Sequence, residues 1–317
     1  MKGKRKNILV PVDFSEASKT TIEQALTIAD FIKGSITLLY IVEKGDFLHE
    51  LFREKSEIKK IEEEAKTKLE ELAGSYNTTH AAKLNHRVVY GKVHAKIIEV
   101  AYELEVRYII MGKNSDFKDD APGANTMRVI KEAKNPVITI VGKEHKLNYH
   151  EVLVPIDLTK QTRIQLFNAI AFAHHYNSNL KLISVLSAGI KARKSRIFQK
   201  LKKAKKTAEE NGINCAVELL REPAAPAYKL IIDYAHLHKV DLIILMTHQE
   251  KFVSDNYIGA FAQHIIGESN IPVLTLTSEA AKSPEESVLR PVIDPIGILT
   301  QGRPRSTFRA RARKSKA

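Results

Sequence analysis

The stretch Ile8-Leu9-Val10-Pro11-Val12-Asp13-Phe14-Ser15 decides the fold, because it returns 144 residues later as Val152-Leu153-Val154-Pro155-Ile156-Asp157-Leu158-Thr159. A second match lies near the end of each copy, where the sequence from Gly123 returns 136 residues later from Gly259. Two matched anchors in the same order indicate a duplication rather than a coincidence. The chain is therefore predicted to contain two copies of one domain, residues 1–143 and 150–278, followed by a tail, residues 279–317.

Each copy alternates short β-rich runs with helical patterns. In the first copy, strands are predicted near 7–12, 35–42, 85–90, 107–112 and 136–141, and helices near 15–33, 50–73, 93–105 and 124–134. In the second copy, strands are predicted near 151–156, 179–185, 213–219, 240–246 and 272–276, with helices between them. This alternation predicts two tandem Rossmann-like α/β domains, each a five-stranded parallel sheet flanked by helices. The tail is rich in proline and arginine with little to bury, which predicts disorder.

The composition is typical of a globular protein without a membrane segment. Of the 317 residues, 44% are hydrophobic and 27% are charged, which is ordinary for a folded domain. Cys215 is the only cysteine, so no intrachain disulfide can form and a reducing compartment is favoured. No apolar run approaches the length of a membrane-spanning helix, and the run Ile8–Val12 is too short for the core of a secretory signal. These features predict a cytoplasmic protein.

The net charge of +13 is concentrated in two segments. Residues 191–206 hold nine Lys and Arg and no acid, and the tail holds nine Lys and Arg against four acids, so the remainder is near neutral. Folded nucleic-acid-binding surfaces usually spread their charge over a face, so nucleic acid is not the expected partner. Apolar residues at Ile197, Leu201, Ala204 and Ala208 predict an amphipathic helix with its lysines in solvent. An acidic partner or nucleic acid remains the alternative for this helix and the tail.

Asp13 and Asp157 stand where an open parallel sheet binds ligands. Such sheets bind beyond the carboxyl ends of their strands, at the point where the strand order reverses. The loops after strands one and four are therefore the candidate site in each copy. A carboxylate there can accept hydrogen bonds from a ribose or an adenine amine. The same residue types, followed by Ser15 or Thr159, also cap the next helix, and spacing alone does not separate these two roles.

The motifs together resemble the universal stress protein family. They are the Val-Pro-x-Asp opening, a Met-Gly or Met-Thr pair after strand four, a Gly-Ala pair before the last helix, and a closing Pro-Val strand. The resemblance covers about residues 5–278, twice over. It implies the adenine nucleotide alpha hydrolase-like fold, a role in the stress response and, in part of the family, ATP with Mg²⁺ at the switch point. The family binds the phosphates on a loop of the form G-x2-G-x9-G-[ST].

That phosphate loop is incomplete in both copies. Gly112 matches the first glycine, but Ser115 stands at the second, and Gly123-Ala124 arrives two residues early and lacks the hydroxyl. In the second copy Thr247 replaces the first glycine, Glu250 replaces the second, and only Gly259-Ala260 remains. Glycines let backbone amides approach a phosphate closely. The expected nucleotide site is therefore degenerate in the first copy, with less of it remaining in the second.

The resemblance assigns roles to particular residues if a nucleotide binds. Asp13 would contact the ribose or base, the Val42 backbone would meet adenine, and the phosphates would lie against Gly112, Ser115 and Gly123. In the second copy Asp157 and Gly259 are the remnants of the same site. The alternative is that these residues only form turns and caps.

A protein-binding module rather than an enzyme is the expected function. The sequence holds no intact Walker loop, no nucleophile elbow and no zinc-binding helix motif, although slow ATP hydrolysis remains open. Asp116, Asp119 and Asp120 lack the order of a calcium loop, so they are interpreted as solvated. Cys215 is interpreted as a core residue. The apolar strands 136–141 and 272–276 lie at predicted sheet edges, so they are expected to pair with each other or to form a homodimer.

Overall fold

The computed structural model describes residues 6–43, 55–77, 81–113, 123–141, 149–156, 162–186, 196–221, 225–247 and 259–277. In the first half the elements are β1 (Asn7–Pro11), α1 (Glu16–Ile32), β2 (Ser35–Val42), α2 (Lys55–Asn77), β3 (Lys83–Tyr90), α3 (Val93–Glu103), β4 (Tyr108–Gly112), α4 (Ala124–Glu132) and β5 (Val137–Ile140). In the second half they are β6 (Glu151–Pro155), α5 (Thr162–Tyr176), β7 (Asn179–Leu186), α6 (Arg196–Glu210), β8 (Cys215–Arg221), α7 (Ala227–Leu237), β9 (Leu242–Met246), α8 (Ala260–Glu268) and β10 (Val273–Leu276). The strands predicted from the sequence are all present, with ends that differ by a few residues.

The strands form one continuous sheet in the order β3-β2-β1-β4-β5-β10-β9-β6-β7-β8. Within each half the pairing is parallel, and the order reverses between β1 and β4 and between β6 and β9. The halves meet at β5 and β10, which pair antiparallel with Ile138 opposite Leu274. The expected pairing of the two last strands is therefore confirmed within the chain, and the two five-stranded sheets become one sheet of ten.

Helices cover both faces of this sheet, because successive strand residues point to opposite sides. Ile8 and Val10 of β1 join a core formed with α1, α2, α5 and α6, whereas Leu9 joins a core formed with α3, α4, α7 and α8. All three side chains are fully buried. Burial on both faces explains why the strands read as continuous apolar runs in the sequence.

The predicted amphipathic helix is α6, and its apolar stripe lies on the sheet. Leu201, Ala204 and Ala208 are buried, and the helix packs against β7 and β8. Cys215 is buried in β8, where burial raises the pKa of its thiol to about 12, so it is a core residue as predicted. None of the helices in the described part of the chain is long and apolar enough to cross a bilayer.

Candidate functional site

The first switch point lies between the carboxyl ends of β1 and β4, beside the start of α1. Asp13 follows β1, Gly112 ends β4, and both approach the first turns of α1. The structure therefore brings these two predicted site residues to the same helix terminus. Ser115 and Asp157, together with Asp116, Asp119 and Asp120, lie outside the described residues.

The carboxylate of Asp13 holds the first turn of α1. Its Oδ1 accepts hydrogen bonds from the Ser15 amide (3.0 Å), the Ser15 hydroxyl (2.6 Å) and the Ser18 hydroxyl (2.6 Å). Ser15 is the N-cap, and its hydroxyl accepts from the Ser18 amide at 3.2 Å. Phe14, between Asp13 and Ser15, has a φ of 63°, a left-handed conformation that non-glycine residues rarely adopt. The loop is thus organised around Asp13, whose carboxylate fixes the capping residue Ser15 and the hydroxyl of Ser18.

Asp13 is ionised in this arrangement. Partial burial opposes ionisation, but the hydrogen bonds donated by Ser15 and Ser18 outweigh it and lower the pKa of the Asp13 carboxyl. Hydrogen bonds to an ionised carboxylate favour the charged form. The negative charge therefore lies at the amino end of α1, where the helix dipole stabilises it.

Gly112 is needed for packing, independently of any ligand. A Cβ added at Gly112 would lie 2.8 Å from Thr21 Oγ1 and 3.5 Å from the Ala17 carbonyl oxygen. Thr21 Oγ1 itself donates to that Ala17 oxygen at 2.7 Å. The missing side chain lets α1 lie close against the end of β4.

The other predicted contacts occupy ordinary structural positions. Val42 ends β2, and its carbonyl accepts a hydrogen bond from the Gly91 amide at 3.1 Å. Gly123 and Gly259 are the N-caps of α4 and α8, with φ of −54° and −58°. A Cβ at either glycine would meet no atom of the described residues within 4 Å. With φ in the negative range, neither position needs the backbone freedom of glycine.

Within the described ranges, no group of three or more His, Cys, Asp or Glu side chains is placed to hold a metal ion. Among the described residues at the first switch point, the Asp13 carboxylate and the hydroxyls of Ser15 and Ser18 are polar groups that hydrogen-bond to one another.

The model of the universal stress protein family matches residues 4–140 and again residues 148–276. The chain belongs to the universal stress protein family. Comparison with curated proteins finds no match.

Solved structures share the fold of this universal stress protein over most of its length. A universal stress protein from Archaeoglobus fulgidus is 20% identical with a TM-score of 0.67, and the match covers 86% of this chain and 96% of that one. A protein of unknown function from Pseudomonas aeruginosa is 17% identical with a TM-score of 0.61, covering 87% and 93%. The cytoplasmic domain of a prokaryotic cation chloride cotransporter is 15% identical with a TM-score of 0.50, covering 86% and 96%.

At the second switch point of this universal stress protein, the residue in the place of the first glycine lies one position earlier than the sequence interpretation put it. In the strand register, Gly112 pairs with Ile140 and Met246 pairs with Leu276, so Met246 is the residue that replaces the first glycine. Thr247, assigned to that place from the sequence, corresponds instead to Lys113: their amides donate to the Leu276 and Ile140 carbonyls. The Met246 side chain is 1% exposed. A large buried side chain therefore stands where a phosphate loop needs a glycine.

Gln165 is a further residue of the second switch point that the sequence interpretation missed. It lies on α5 at the place that Thr21 holds on α1, and it is buried. Its Nε2 donates to the Pro155 and Ile244 carbonyls, both at 2.9 Å, and so bridges β6 and β9. The signal available in the sequence was a polar residue 144 positions after Thr21, within an otherwise apolar helix face.

The interface between the halves repeats its contacts on both sides. Thr139 Oγ1 donates to the Val273 carbonyl at 3.3 Å, and Thr275 Oγ1 donates to the Val137 carbonyl at 3.0 Å. These are the same contact made twice, since residue 137 corresponds to 273 and 139 to 275. Reciprocal contacts of this kind characterise a two-fold dimer interface, so the chain is an intrachain pseudo-dimer.

Aromatic side chains extend this interface between α1 and α5. Phe31 of the first half stacks on Tyr176 with ring centroids 4.3 Å apart, and it meets the His175 ring edge-on at 4.3 Å. Tyr149 packs beside them and its hydroxyl donates to Gln24 at 3.2 Å. Lys113 is buried after β4, and its Nζ donates to the carbonyl of Gly267 in α8. Both faces of the sheet thus carry contacts between the halves.

Proposed function

We propose that this universal stress protein is a cytoplasmic binding module of the stress response that acts through contacts with other proteins rather than through catalysis. The observation that carries the proposal is the structural use of both switch points. Asp13 accepts three hydrogen bonds from Ser15 and Ser18 at the start of α1. Gln165 bridges β6 and β9 at the second switch point, where Met246 is buried. These side chains support the fold.

Partners meet the outside of the pseudo-dimer, because its dimer strands are already paired inside the chain. Tyr102 at the end of α3 is 78% exposed, and Leu237 at the end of α7 is 77% exposed. The two helices correspond in the two halves. Large exposed apolar side chains serve as anchors when a partner covers them.

A capture experiment with variants tests this function. The wild-type chain and Y102A/L237A are immobilised, and the proteins retained from stressed and unstressed extracts are identified. We expect a protein that wild type retains at a stoichiometric level to be lost by the double variant, while thermal melting stays unchanged. Retention of the same proteins by both chains would contradict contacts through these anchors.

A nucleotide sensor in the first half is the second candidate function. It is favoured by the asymmetry between Gly112 and the buried Met246, and by the amino end of α4 at Gly123, where no described atom would contact an added Cβ. The ligand would be an adenine nucleotide, with Asp13 accepting from the ribose or base through its remaining oxygen. Asp13 would then hold Ser15 and Ser18 at the start of α1 with one oxygen and bind the nucleotide with the other.

Calorimetry with ATP, ADP and AMP, with and without Mg²⁺, tests the sensor. We expect one site per chain, and we expect D13A to weaken binding about tenfold or more, the loss of a charge-assisted hydrogen bond. G259A alters the corresponding helix start in the second half and serves as the matched control, with unchanged affinity. No heat at millimolar nucleotide, or two equivalent sites, would end the hypothesis.

A further inference from the structure

The outer face of α6 carries a cluster of exposed lysines. Lys200, Lys202, Lys203 and Lys206 are exposed, and Lys205 is half-buried. The opposite side of the helix makes the contacts with β7 and β8, through Leu201, Ala204 and Ala208. Charge and packing are thus separated onto two faces of one helix.

The corresponding helix of the first half provides an internal comparison. Helix α2 packs on β2 and β3 as α6 packs on β7 and β8. Its exposed face mixes both signs, with glutamates at 62, 63, 64, 70 and 71 and lysines at 60, 66 and 68. The same architectural position is therefore filled without an excess of positive charge, so the lysines of α6 are not a requirement of this fold.

Ion pairs within α6 join its lysines to acids in the last turn of the helix. Glu209 and Glu210 close the last turn of α6 and pair with Lys205 (3.5 Å) and Lys206 (3.7 Å). Glu218 is exposed on β8. Exposed pairs at such distances are weak, so the positive potential of residues 200–206 is only partly offset.

We propose that the lysine face of α6 binds the phosphate backbone of nucleic acid without reading its sequence. Residues 200–206 span about 9 Å of helix, at 1.5 Å per residue. One strand of a duplex presents a phosphate about every 3.4 Å along its axis, so this length of helix matches nearly three phosphate spacings. Lysines act as point charges toward phosphate, and they carry no base readout here.

Two other anionic partners fit this face less well. A helix that inserts into a membrane needs its apolar side free, but the apolar side of α6 is buried on the sheet. A specific protein interface needs buried apolar or aromatic anchors at its centre. The exposed large hydrophobic residues of the described chain are Phe31, Tyr102 and Leu237, all outside α6. Phe198 lies under Lys202, with Nζ 4.6 Å from the ring centroid.

The test compares two charge-matched triple variants of the full chain. K202Q/K203Q/K206Q removes three charges from α6, and K60Q/K66Q/K68Q removes three charges from α2. The two variants therefore have the same net charge and the same tail. Binding to a fluorescent duplex of about 20 base pairs is followed by anisotropy across salt concentrations. We expect the α6 variant to lose about tenfold or more in affinity and its salt slope to fall by about 3. The α2 variant should lose little, and E209Q/E210Q should bind more tightly than wild type.

Four results would overturn the proposal. One is an absence of duplex binding by the wild-type chain at low salt. Another is an equal loss in the α6 and α2 variants, which would assign binding to net charge or to the tail. The third is competition by polyglutamate that is as strong as competition by duplex of equal charge. The fourth is tighter binding of wild type to phosphatidylserine vesicles than to duplex. Either of these two results would assign the face to a different partner.

Discussion

Thr21 and Gln165 hold the same place in the two halves and make different contacts there. Thr21 is short, and its hydroxyl lies where a side chain at position 112 would have to go. Gln165 is long, and its amide reaches the carbonyls of two neighbouring strands. One half therefore keeps a glycine at the end of its fourth strand, and the other has a buried methionine there.

At the residue scale, G112A is expected to lower the free energy of unfolding by about 1–3 kcal/mol, because its Cβ overpacks α1 against β4. Urea denaturation measures the change. G112A/T21A removes the opposing hydroxyl and should recover part of the loss. G123A is the matched control: its Cβ meets no atom of the described residues within 4 Å, so its stability should stay within about 1 kcal/mol of wild type. Equal loss in G112A and G123A would contradict the packing role of Gly112.

The residue assignments show which parts of a site the sequence can predict. The strand pattern located the switch point, and the structure places Asp13 and Gly112 there beside α1, while their part in a nucleotide site stays a prediction. The sequence left the role of Asp13 open, and the structure shows that its carboxylate accepts hydrogen bonds from Ser15, the N-cap of α1, and from Ser18. The residue that replaces the first glycine in the second half was assigned one position too late. The assignment aligned the Met-Gly pair of the first half with the Met-Thr pair of the second by sequence alone, but the register is fixed by strand pairing.

At the element scale, α1 and α5 meet through a histidine that resists protonation. Burial, with smaller effects from Arg107 and His174, lowers the pKa of His175 to about 4. Its Nε2 is buried and has no hydrogen-bond partner among the described residues. The unfolded chain, with a histidine pKa of about 6.5, therefore takes up a proton before the folded chain does.

H175F is expected to remove part of the acid sensitivity of the protein. For wild type, the contribution of His175 to stability is complete above about pH 6.5 and falls as pH drops toward about 4. The loss should be about 1–2 kcal/mol, less than the full shift implies, because the ring is partly exposed to solvent. Urea denaturation at about pH 7.5 and about pH 4.5 should show a smaller loss for H175F than for wild type.

H236Q replaces an exposed histidine on α7 and is the control for this comparison, so its acid loss should match wild type. An identical pH dependence in H175F and wild type would refute the role of the α1–α5 contact in acid sensitivity.

At the scale of the whole molecule, the two halves share one sheet. Cleavage at a protease site inserted within residues 142–148 should leave halves that still sediment together, since β5, β10 and the aromatic contacts do not depend on the linker. Halves that sediment separately at micromolar concentration would contradict the pseudo-dimer.

F31A should weaken the cleaved complex about tenfold, because its ring stacks on Tyr176 across the interface, and such an aromatic pair contributes about 1 kcal/mol or more. Y102A removes an exposed aromatic side chain away from the interface and is the matched control, with no change in the dissociation constant. Sedimentation of the cleaved variants at several concentrations measures both.

The sequence predicted the architecture well because the duplication presents the pattern of each strand and helix twice, so each prediction is supported by two segments. It also predicted the pairing of the last strands, because two apolar strands at sheet edges have few other ways to satisfy their backbone. It did not predict that Lys113 reaches Gly267 or that Phe31 stacks on Tyr176. Those contacts join residues more than 140 positions apart, and only the packed halves bring them together.

The reciprocal hydrogen bonds of β5 and β10 belong to a dimer whose two copies are joined by peptide bonds. In an ordinary homodimer a substitution appears twice, so both copies must tolerate it. Here a substitution appears once, and the permanent tether keeps the altered copy beside its partner at a high effective concentration. Each copy can therefore change independently of the other. A glycine can persist at the end of the fourth strand in one copy while methionine has replaced it in the other, and lysines can accumulate on the outer helix of one copy alone.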